Sequence, residues 1–283
     1  MRTISQEVGY TDRKTKGIRV PTLTEVQKEF NRLQLSTSHI FDAKGSLTRF
    51  GETLNEYFKY RALILNDVVQ ALLMDRHSAE VEFKKLRASL NPKCPLPLNK
   101  QKGEKRNFSF LTCIVNMLVE ANIADIPCDY DPRSLTTITH NSMPYMTLAR
   151  RVDGAFPQVV NPVAIWEIKE YCYTTTFGSR VADGVYETLL DGMELAELMT
   201  SNDRKVHHLL VVDDHFTWWQ CGRSYLCRII DMLHMGLVDE VIFGREVLDR
   251  LPVLVREWRE EYESTKPDNG NIGNAMKIDI KHE

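Results

Sequence analysis

The chain has 283 residues, of which 43% are hydrophobic and 27% are charged, and its net charge is −3. This composition is typical of a globular protein with a substantial core, and it excludes a globally basic nucleic-acid-binding protein. No apolar run approaches the ~20 residues of a membrane span, and the N-terminus lacks the apolar segment of a secretion signal. The six cysteines lack the two-residue spacing of zinc or redox motifs. We therefore expect reduced thiols and a cytoplasmic protein.

Residues 1–92 are predicted to form an N-terminal helical region. Residues 1–21 are polar and basic, which favours a loosely docked tail over an arm that contacts phosphates. Thr22 and Glu25 have the spacing of a capping box and predict a helix from there to about Leu33. Apolar spacing predicts further helices over 47–75 and 79–90. The predicted apolar stripe of the longer helix contains Phe50, Leu54, Phe58, Leu63, Ile64, Val68 and Leu72. This region could brace the core, contact DNA or form a dimer interface.

Residues 93–106 are predicted to be a basic linker or loop, since prolines and a glycine break regular structure there. Its basic residues could be simply solvated or could contact a nucleic-acid backbone. They are Lys93, Lys100, Lys102, Lys105 and Arg106. At the other end of the chain, residues 264–283 are predicted to be a flexible tail.

Residues 107–263 are predicted to form an α/β core with a mixed central β-sheet flanked by helices. The predicted order is helix, three strands, helix, strand, helix, strand, helix. The strands are expected at 134–139, 151–157, 163–171, 206–212 and 238–243. The helices are expected at 108–123, 178–202, 223–235 and 245–263.

The predicted helix over 178–202 carries a row of acidic residues that we interpret as a solvated face. Ser179 and Arg180 at its start are a natural phosphate site, because backbone N–H groups are unpaired at a helix N-terminus. The acidic residues are Asp183, Glu187, Asp191, Glu194 and Glu197.

Three charged residues occur in the second and third predicted core strands. A hairpin centred near residue 160 would place Asp153 opposite Glu167, with Cβ atoms roughly 5 Å apart. Lys169 would share the face of Glu167, because strand side chains alternate between faces. Two carboxylates this close repel unless a cation lies between them, and carboxylate oxygens suit Mg²⁺. The charges interrupt an otherwise apolar strand, where unpaired charge is costly.

Asp on one strand and Glu-x-Lys on the next, in this order of elements, resemble the PD-(D/E)xK nuclease superfamily, which includes type II restriction endonucleases. The resemblance covers about residues 107–245. It implies that Asp153, Glu167 and the main-chain carbonyl of Ile168 bind Mg²⁺, with Mn²⁺ as a substitute, and that Lys169 assists the attacking water. It also implies an endodeoxyribonuclease that cuts double-stranded DNA and leaves 5′-phosphate ends. Two scissile strands and one centre per chain suggest a homodimer.

The chain departs from that family at several positions. Val152 stands where many members have a proline, and the polar residues of the first core helix, Asn116 and Glu120, come late in it. Tyr186 lacks the glutamine partner of the exonuclease branch, which favours an endonuclease.

Two other hypotheses remain open from the sequence. One is a non-cleaving nucleic-acid-binding protein on the same scaffold, and the other is a structural or regulatory protein in which the motif forms only a salt bridge. The histidines lack metal-ligand spacing and are predicted to be structural. They are His207, His208, His215 and His234. Trp218 and Trp219 are predicted to pack on the core in a turn, with base stacking as the alternative.

Overall fold

The computed structural model describes residues 1–99, 107–173 and 178–265. The second half of the predicted basic loop, residues 100–106, and all but the first two residues of the predicted tail lie outside the described residues. The helices are α1 Arg2–Val8, α2 Leu23–Arg32, α3 Arg49–Leu63, α4 Gln70–Leu72, α5 Arg76–Leu90, α6 Phe110–Asn122, α7 Ser179–Asn202, α8 Arg223–His234 and α9 Val247–Thr265. The segments Ile64–Val69 and His215–Cys221 are π-helical, and Gly244–Glu246 is a 3₁₀ turn. The strands are β1 Asp129–Tyr130, β2 Thr137–His140, β3 Met143–Thr147, β4 Gly154–Phe156, β5 Ala164–Lys169, β6 His207–Val212 and β7 Glu240–Phe243.

A mixed five-stranded sheet forms the centre of the molecule, in the order β1-β4-β5-β6-β7. β1, β4 and β5 pair antiparallel, whereas β5, β6 and β7 pair parallel. Side chains on one face of the sheet pack with α6 and α9, and Trp166 of β5 stacks on Trp258 of α9 with ring centroids 6.1 Å apart. The other face packs with α7 and α8. The predicted mixed sheet flanked by helices is therefore confirmed.

The first predicted core strand is not part of this sheet. β2 pairs with β3 in a separate two-stranded sheet, and the edge of the central sheet is instead β1. Asn141 and Ser142 join β2 to β3 with φ values of 50° and 65°. Two consecutive residues with positive φ are typical of a tight hairpin turn. The β-branched residues of the segment 134–139 correctly indicated extended structure. They could not specify which strand the segment pairs with.

The N-terminal tail prediction is wrong, because α1 is docked. Ile4 is 2% exposed and packs in an apolar cluster with Val26 of α2 and Phe58 of α3. The tail is polar by composition, but Ser5 of α1 is also buried and its hydroxyl accepts a hydrogen bond from Arg61 at 3.1 Å. The predicted capping box at Thr22 and Glu25 is present and begins α2.

The long second helix is confirmed in position, but only part of its predicted apolar stripe is buried. Leu54 and Phe58 are buried, whereas Phe50, Leu63 and Val68 are exposed. The charged residue Arg61 takes a place on the buried face, and the π-helical segment after α3 then changes the residues per turn. Beyond Phe58 the buried positions keep the three- and four-residue spacing of a helix, on a face that Leu63 and Val68 do not share. These buried positions are Arg61, Ala62, Leu65 and Val69.

Within the described residues, no helix combines the length and the apolar character that crossing a membrane requires.

Candidate functional site

The β4–β5 hairpin places Asp153 and Glu167 opposite each other. Gly154 pairs with Trp166, and the N–H of Asp153 donates to the carbonyl of Trp166 at 3.1 Å. Gly154 is required for this register, because a Cβ there would lie 2.1 Å from the indole of Trp166. Asp153 follows the same antiparallel register one residue before Gly154, which is the arrangement that the sequence predicts.

Asp153 directly precedes the first residue of β4, and its carboxylate interacts with the neighbouring strand β5. Oδ2 accepts the N–H of Ile168 at 2.8 Å. The N–H and C=O of one strand residue point to the same edge, so the carbonyl of Ile168 faces the same side as Asp153. Burial and the nearby charge of Glu167 raise the pKa of Asp153 to about 6. Asp153 also lines a cavity of about 400 Å³ together with Asn116 and Glu170.

Glu167 and Lys169 are in direct contact on the face of β5 that is turned towards α7. Lys169 Nζ lies 2.9 Å from Glu167 Oε2 and 3.0 Å from Glu187 Oε2. Both β5 residues are buried, at 0% and 7% exposure. Burial alone would lower the pKa of Lys169, but the carboxylates of Glu167 and Asp153 outweigh it and raise that pKa. Lys169 is therefore an ammonium at neutral pH. Among the described residues, Asp153 forms no ion pair with it.

Sequence reasoning missed Arg150, which joins the site to α7. Its Nη1 lies 2.9 Å from Glu167 Oε1 and 2.6 Å from Asp191 Oδ2, and its Nη2 lies 3.4 Å from Glu187 Oε2. Burial would raise the pKa of Glu167, but Lys169 and Arg150 outweigh it and lower that pKa. Arg150 thus holds the strand carboxylate and two helix carboxylates around one guanidinium.

The prediction that the acidic row of α7 is a solvated face is wrong for three of its members. Asp191 is fully buried, Glu187 pairs with Lys169 and Arg150, and Glu194 accepts the N–H of Ala149 at 3.2 Å. Asp183 and Glu197 are exposed, as predicted. A usable signal was present, because none of the three has a basic residue within four positions along the helix. Their partners therefore had to come from other elements.

Gly184 brings α7 close to β5. A Cβ at this position would lie 2.9 Å from the hydroxyl of Tyr171 and 3.1 Å from Cδ of Lys169. A glycine is therefore needed for the helix to approach the lysine this closely.

We call the six residues Arg150, Asp153, Glu167, Lys169, Glu187 and Asp191 the Lys169 cluster. It contains two more carboxylates than cations. Burial also raises the pKa of Asp191, to about 7. Glu167 and Asp191 are buried and Asp153 is partly buried, whereas the side chain of Glu187 is 45% exposed. Excess carboxylate at such a site is relieved by solvent where it is exposed, by protonation or by a bound cation.

The Lys169 cluster fits a hard divalent cation in charge and in the type of donor it offers. Asp153, Glu167 and the carbonyl of Ile168 supply oxygen donors, and the buried Oε1 of Glu167 makes no hydrogen bond. Arg150 lies close to that oxygen and would have to move aside. Among the described residues, no three or more His, Cys, Asp or Glu side chains are grouped to hold an ion. Mg²⁺ commonly binds through one or two carboxylates and keeps several waters, so it suits this small donor set.

The other residues considered in the sequence have structural contacts. Asn116 donates to the carbonyl of Pro95 at 2.8 Å, and Glu120 accepts the N–H of Lys93 at 2.9 Å. Arg180 accepts the Tyr171 hydroxyl with its carbonyl, at 3.0 Å.

The histidine and tryptophan predictions largely hold. His207 pairs with Glu261 at 2.8 Å, and the ring of buried His208 bonds the carbonyl of Leu237 at 2.9 Å. Trp218 and Trp219 are buried in the π-helical segment, so their predicted packing on the core is confirmed.

Fold and site together define a mixed α/β protein with a buried carboxylate and lysine cluster at the carboxyl end of its central strand. Residues 74–258, more than half of the chain, match the family described as Domain of unknown function (DUF7687), and the chain belongs to that family. Residues 1–68 match a second family, Domain of unknown function (DUF7690). The DUF7687 match includes α5, which packs through Phe83 in the same apolar cluster as α6. No curated protein and no solved structure matches the chain.

Proposed function

We propose that the protein is a Mg²⁺-dependent endodeoxyribonuclease of the PD-(D/E)xK type that cuts double-stranded DNA, as type II restriction enzymes do. The observation that carries the proposal is the hairpin geometry. Asp153 stands opposite Glu167, and Lys169 Nζ lies 2.9 Å from Glu167 Oε2. The order of the sheet and its flanking helices agrees with a restriction-endonuclease-like core.

Each residue of the motif would have a separate role. Asp153, Glu167 and the carbonyl of Ile168 would hold Mg²⁺, or Mn²⁺ in its place. The ion would polarise a phosphoryl oxygen and acidify a bound water. Lys169 is charged at neutral pH, so it would orient the attacking water and stabilise developing negative charge rather than accept a proton.

Cutting both strands of a duplex with one centre per chain requires two copies of the chain or two successive events. We therefore propose a homodimer, acting in the cytoplasm. The two centres would be related by a two-fold axis, which matches the local symmetry of duplex DNA.

The test is cleavage of supercoiled plasmid in Mg²⁺ by the wild-type protein, Asp153→Asn and Lys169→Ala. We expect both variants to lose cleavage by about 10²-fold or more, because each removes a group that acts on the transition state. Lys205→Ala is the matched control. Lys205 is also paired with a carboxylate, Asp239 at 3.1 Å, but it lies before β6, towards the opposite end of the parallel strands.

Equal cleavage by wild type and Lys169→Ala would remove this centre from the mechanism. All proteins should be compared by melting temperature first, so that a loss of activity is not mistaken for a loss of fold.

One observation favours a second function, a nucleic-acid-binding protein that does not cut. Arg150 already contacts both carboxylate oxygens of Glu167, at 2.9 Å and 3.1 Å, where a metal would bind. If Arg150 permanently replaces the ion, duplex DNA should bind in the presence of a chelator and stay intact with Mg²⁺ or Mn²⁺. A gel-shift assay run beside the plasmid digest distinguishes the two functions.

A further inference from the structure

A second cavity, of about 410 Å³, lies between α1, α7 and α8, apart from the Lys169 cluster. Its volume is within the range of pockets that bind small molecules. Val185 and Leu189 of α7 and Met232 of α8 form an apolar wall. By helical spacing, these α7 residues lie on a different face from Glu187 and Asp191.

The mouth of this cavity carries two arginines and aromatic rings, and the acidic side chains of its lining, Glu7 and Asp231, are paired with Arg32 and Arg61. Arg228 lies over the rings of Tyr10 and Tyr186 at 5.7 Å and 5.8 Å, and it donates to the Tyr186 hydroxyl at 2.6 Å. Arg2 lines the same cavity from α1. Among the described residues, neither arginine has a carboxylate ion-pair partner. The mouth therefore offers two arginines without carboxylate ion-pair partners, and aromatic rings lie beside them. Such a site suits a ligand in which a phosphate is attached to a planar ring.

One polar group in the cavity wall is buried and incompletely bonded. Asp231 is 1% exposed and lines the cavity. Its Oδ1 accepts from Arg61 at 2.9 Å and from Tyr57, whereas Oδ2 has no hydrogen-bond partner among the described residues. A buried carboxylate oxygen that lacks a donor is costly, so a ligand that supplies an N–H group would gain affinity there.

We infer that this cavity binds a purine nucleotide. Its phosphate pairs with Arg2 and Arg228 at the mouth. The purine ring packs between Tyr186 and the apolar wall, and an N–H group of the base donates to Asp231 Oδ2. The inference does not depend on the nuclease proposal, since it uses none of the residues of the Lys169 cluster.

The test is calorimetric titration of the full-length protein with GMP, AMP and inorganic phosphate. We expect saturable binding of one purine nucleotide per chain, and phosphate alone should bind at least tenfold more weakly. Purine riboside monophosphate has no exocyclic donor and no ring N–H, and it should also bind about tenfold more weakly than the better natural nucleotide.

Variants locate the site. Arg228→Met keeps the aliphatic part of the side chain and removes its charge. The change should weaken nucleotide binding about tenfold or more. Arg223→Met is the matched control, because Arg223 lies on the same helix but stacks on Trp219 at 4.8 Å and does not line the cavity. If Arg228→Met does not fold, Tyr186→Leu serves instead, since Tyr186 is 51% exposed and contributes little to the core.

Several results would overturn the inference. They are no saturable binding of either nucleotide at millimolar concentration, equal loss in Arg228→Met and Arg223→Met, and equal affinity for phosphate and nucleotide. Tighter binding of a 5′-phosphorylated oligonucleotide, with the same dependence on Arg228, would show that the cavity binds the end of a nucleic-acid strand and not a free nucleotide.

Discussion

Two buried ionic clusters, built from similar residues, differ in their balance of charge. In the N-terminal region, Arg61 pairs with Asp231 at 2.9 Å, and the hydroxyls of Tyr57 and Ser5 add neutral contacts. One guanidinium there meets one carboxylate. In the Lys169 cluster, Arg150 and Lys169 pair with three carboxylates, and the fourth, Asp153, pairs with neither. The pKa values of Asp153 and Asp191 are raised.

The difference separates a structural ion pair from a site that is incomplete by itself. A balanced pair of charges can hold α3 against α8 without a bound cation. In a cluster with excess carboxylate, repulsion between like charges opposes folding at neutral pH unless protons or a cation neutralise the excess.

The largest effect should come from removing the arginine of each cluster. Arg61→Met leaves Asp231 buried and unpaired, and we expect it to lower the free energy of unfolding by about 3–5 kcal/mol, with no recovery in Mg²⁺ or Mn²⁺. Arg150→Met should also destabilise, but a divalent cation should restore part of the loss, because it can replace the guanidinium between Glu167 and Asp191. Denaturant unfolding with and without Mn²⁺ measures both. Equal recovery in the two variants would remove the contrast.

The second prediction concerns the glycine that sets the hairpin register. Gly154→Ala forces a methyl group against Trp166, and we expect a loss of about 1–3 kcal/mol in the free energy of unfolding. The change should also weaken any response to Mn²⁺, because Asp153 would shift relative to Glu167. Gly178→Ala is the control, since a Cβ there meets no atom within 4 Å. If Gly154→Ala is as stable as Gly178→Ala, the close packing that we describe is absent.

The third prediction follows from the raised pKa values of Asp153, about 6, and Asp191, about 7. Between about pH 4 and pH 7 the unfolded chain releases these protons before the folded chain does, so folded-state stability falls as pH rises. Each tenfold change in proton affinity corresponds to about 1.4 kcal/mol, so we expect contributions of up to about 3 kcal/mol from Asp153 and up to about 4 kcal/mol from Asp191. The difference in the free energy of unfolding between wild type and Asp191→Asn, measured from pH 4.5 to 8, isolates the contribution of Asp191. A difference that does not change with pH would contradict the assignment.

The smallest effect should come from a helix cap in the N-terminal region. Thr22→Ala removes the side chain that accepts the N–H of Glu25, and we expect a loss of about 1 kcal/mol. Its response to Mn²⁺ should equal that of the wild type. This variant therefore shows whether a modest loss of stability alone changes apparent metal binding, which would weaken the interpretation of the other variants.

Sequence patterns predicted the core better than the N-terminal region, for a physical reason. The parallel strands β6 and β7 are apolar runs, and the neighbouring helices have apolar residues at regular helical spacing. The elements from β5 to α9 therefore lie close to their predicted positions. The opposition of Asp153 and Glu167 was also predictable, because the two strands are arranged symmetrically about residue 160.

Other features depend on contacts between distant parts of the chain. The pairing of β2 with β3 is set by the turn at Asn141 and Ser142, and α1 is docked through the buried residues Ile4 and Ser5. Arg150 and Asp191 are 41 positions apart, so no local pattern pairs them. The lack of basic partners along the acidic row of α7, together with Gly184, was the one local sign that this helix contributes to the site.

The most direct test of the central claim is calorimetric titration of Mn²⁺ into wild-type protein and into Asp153→Asn at pH 8. The account predicts saturable binding to the wild type and its loss in Asp153→Asn, with both proteins folded. Equal binding by the two, or none by the wild type, would contradict the claim that the excess carboxylates of the Lys169 cluster form a cation site.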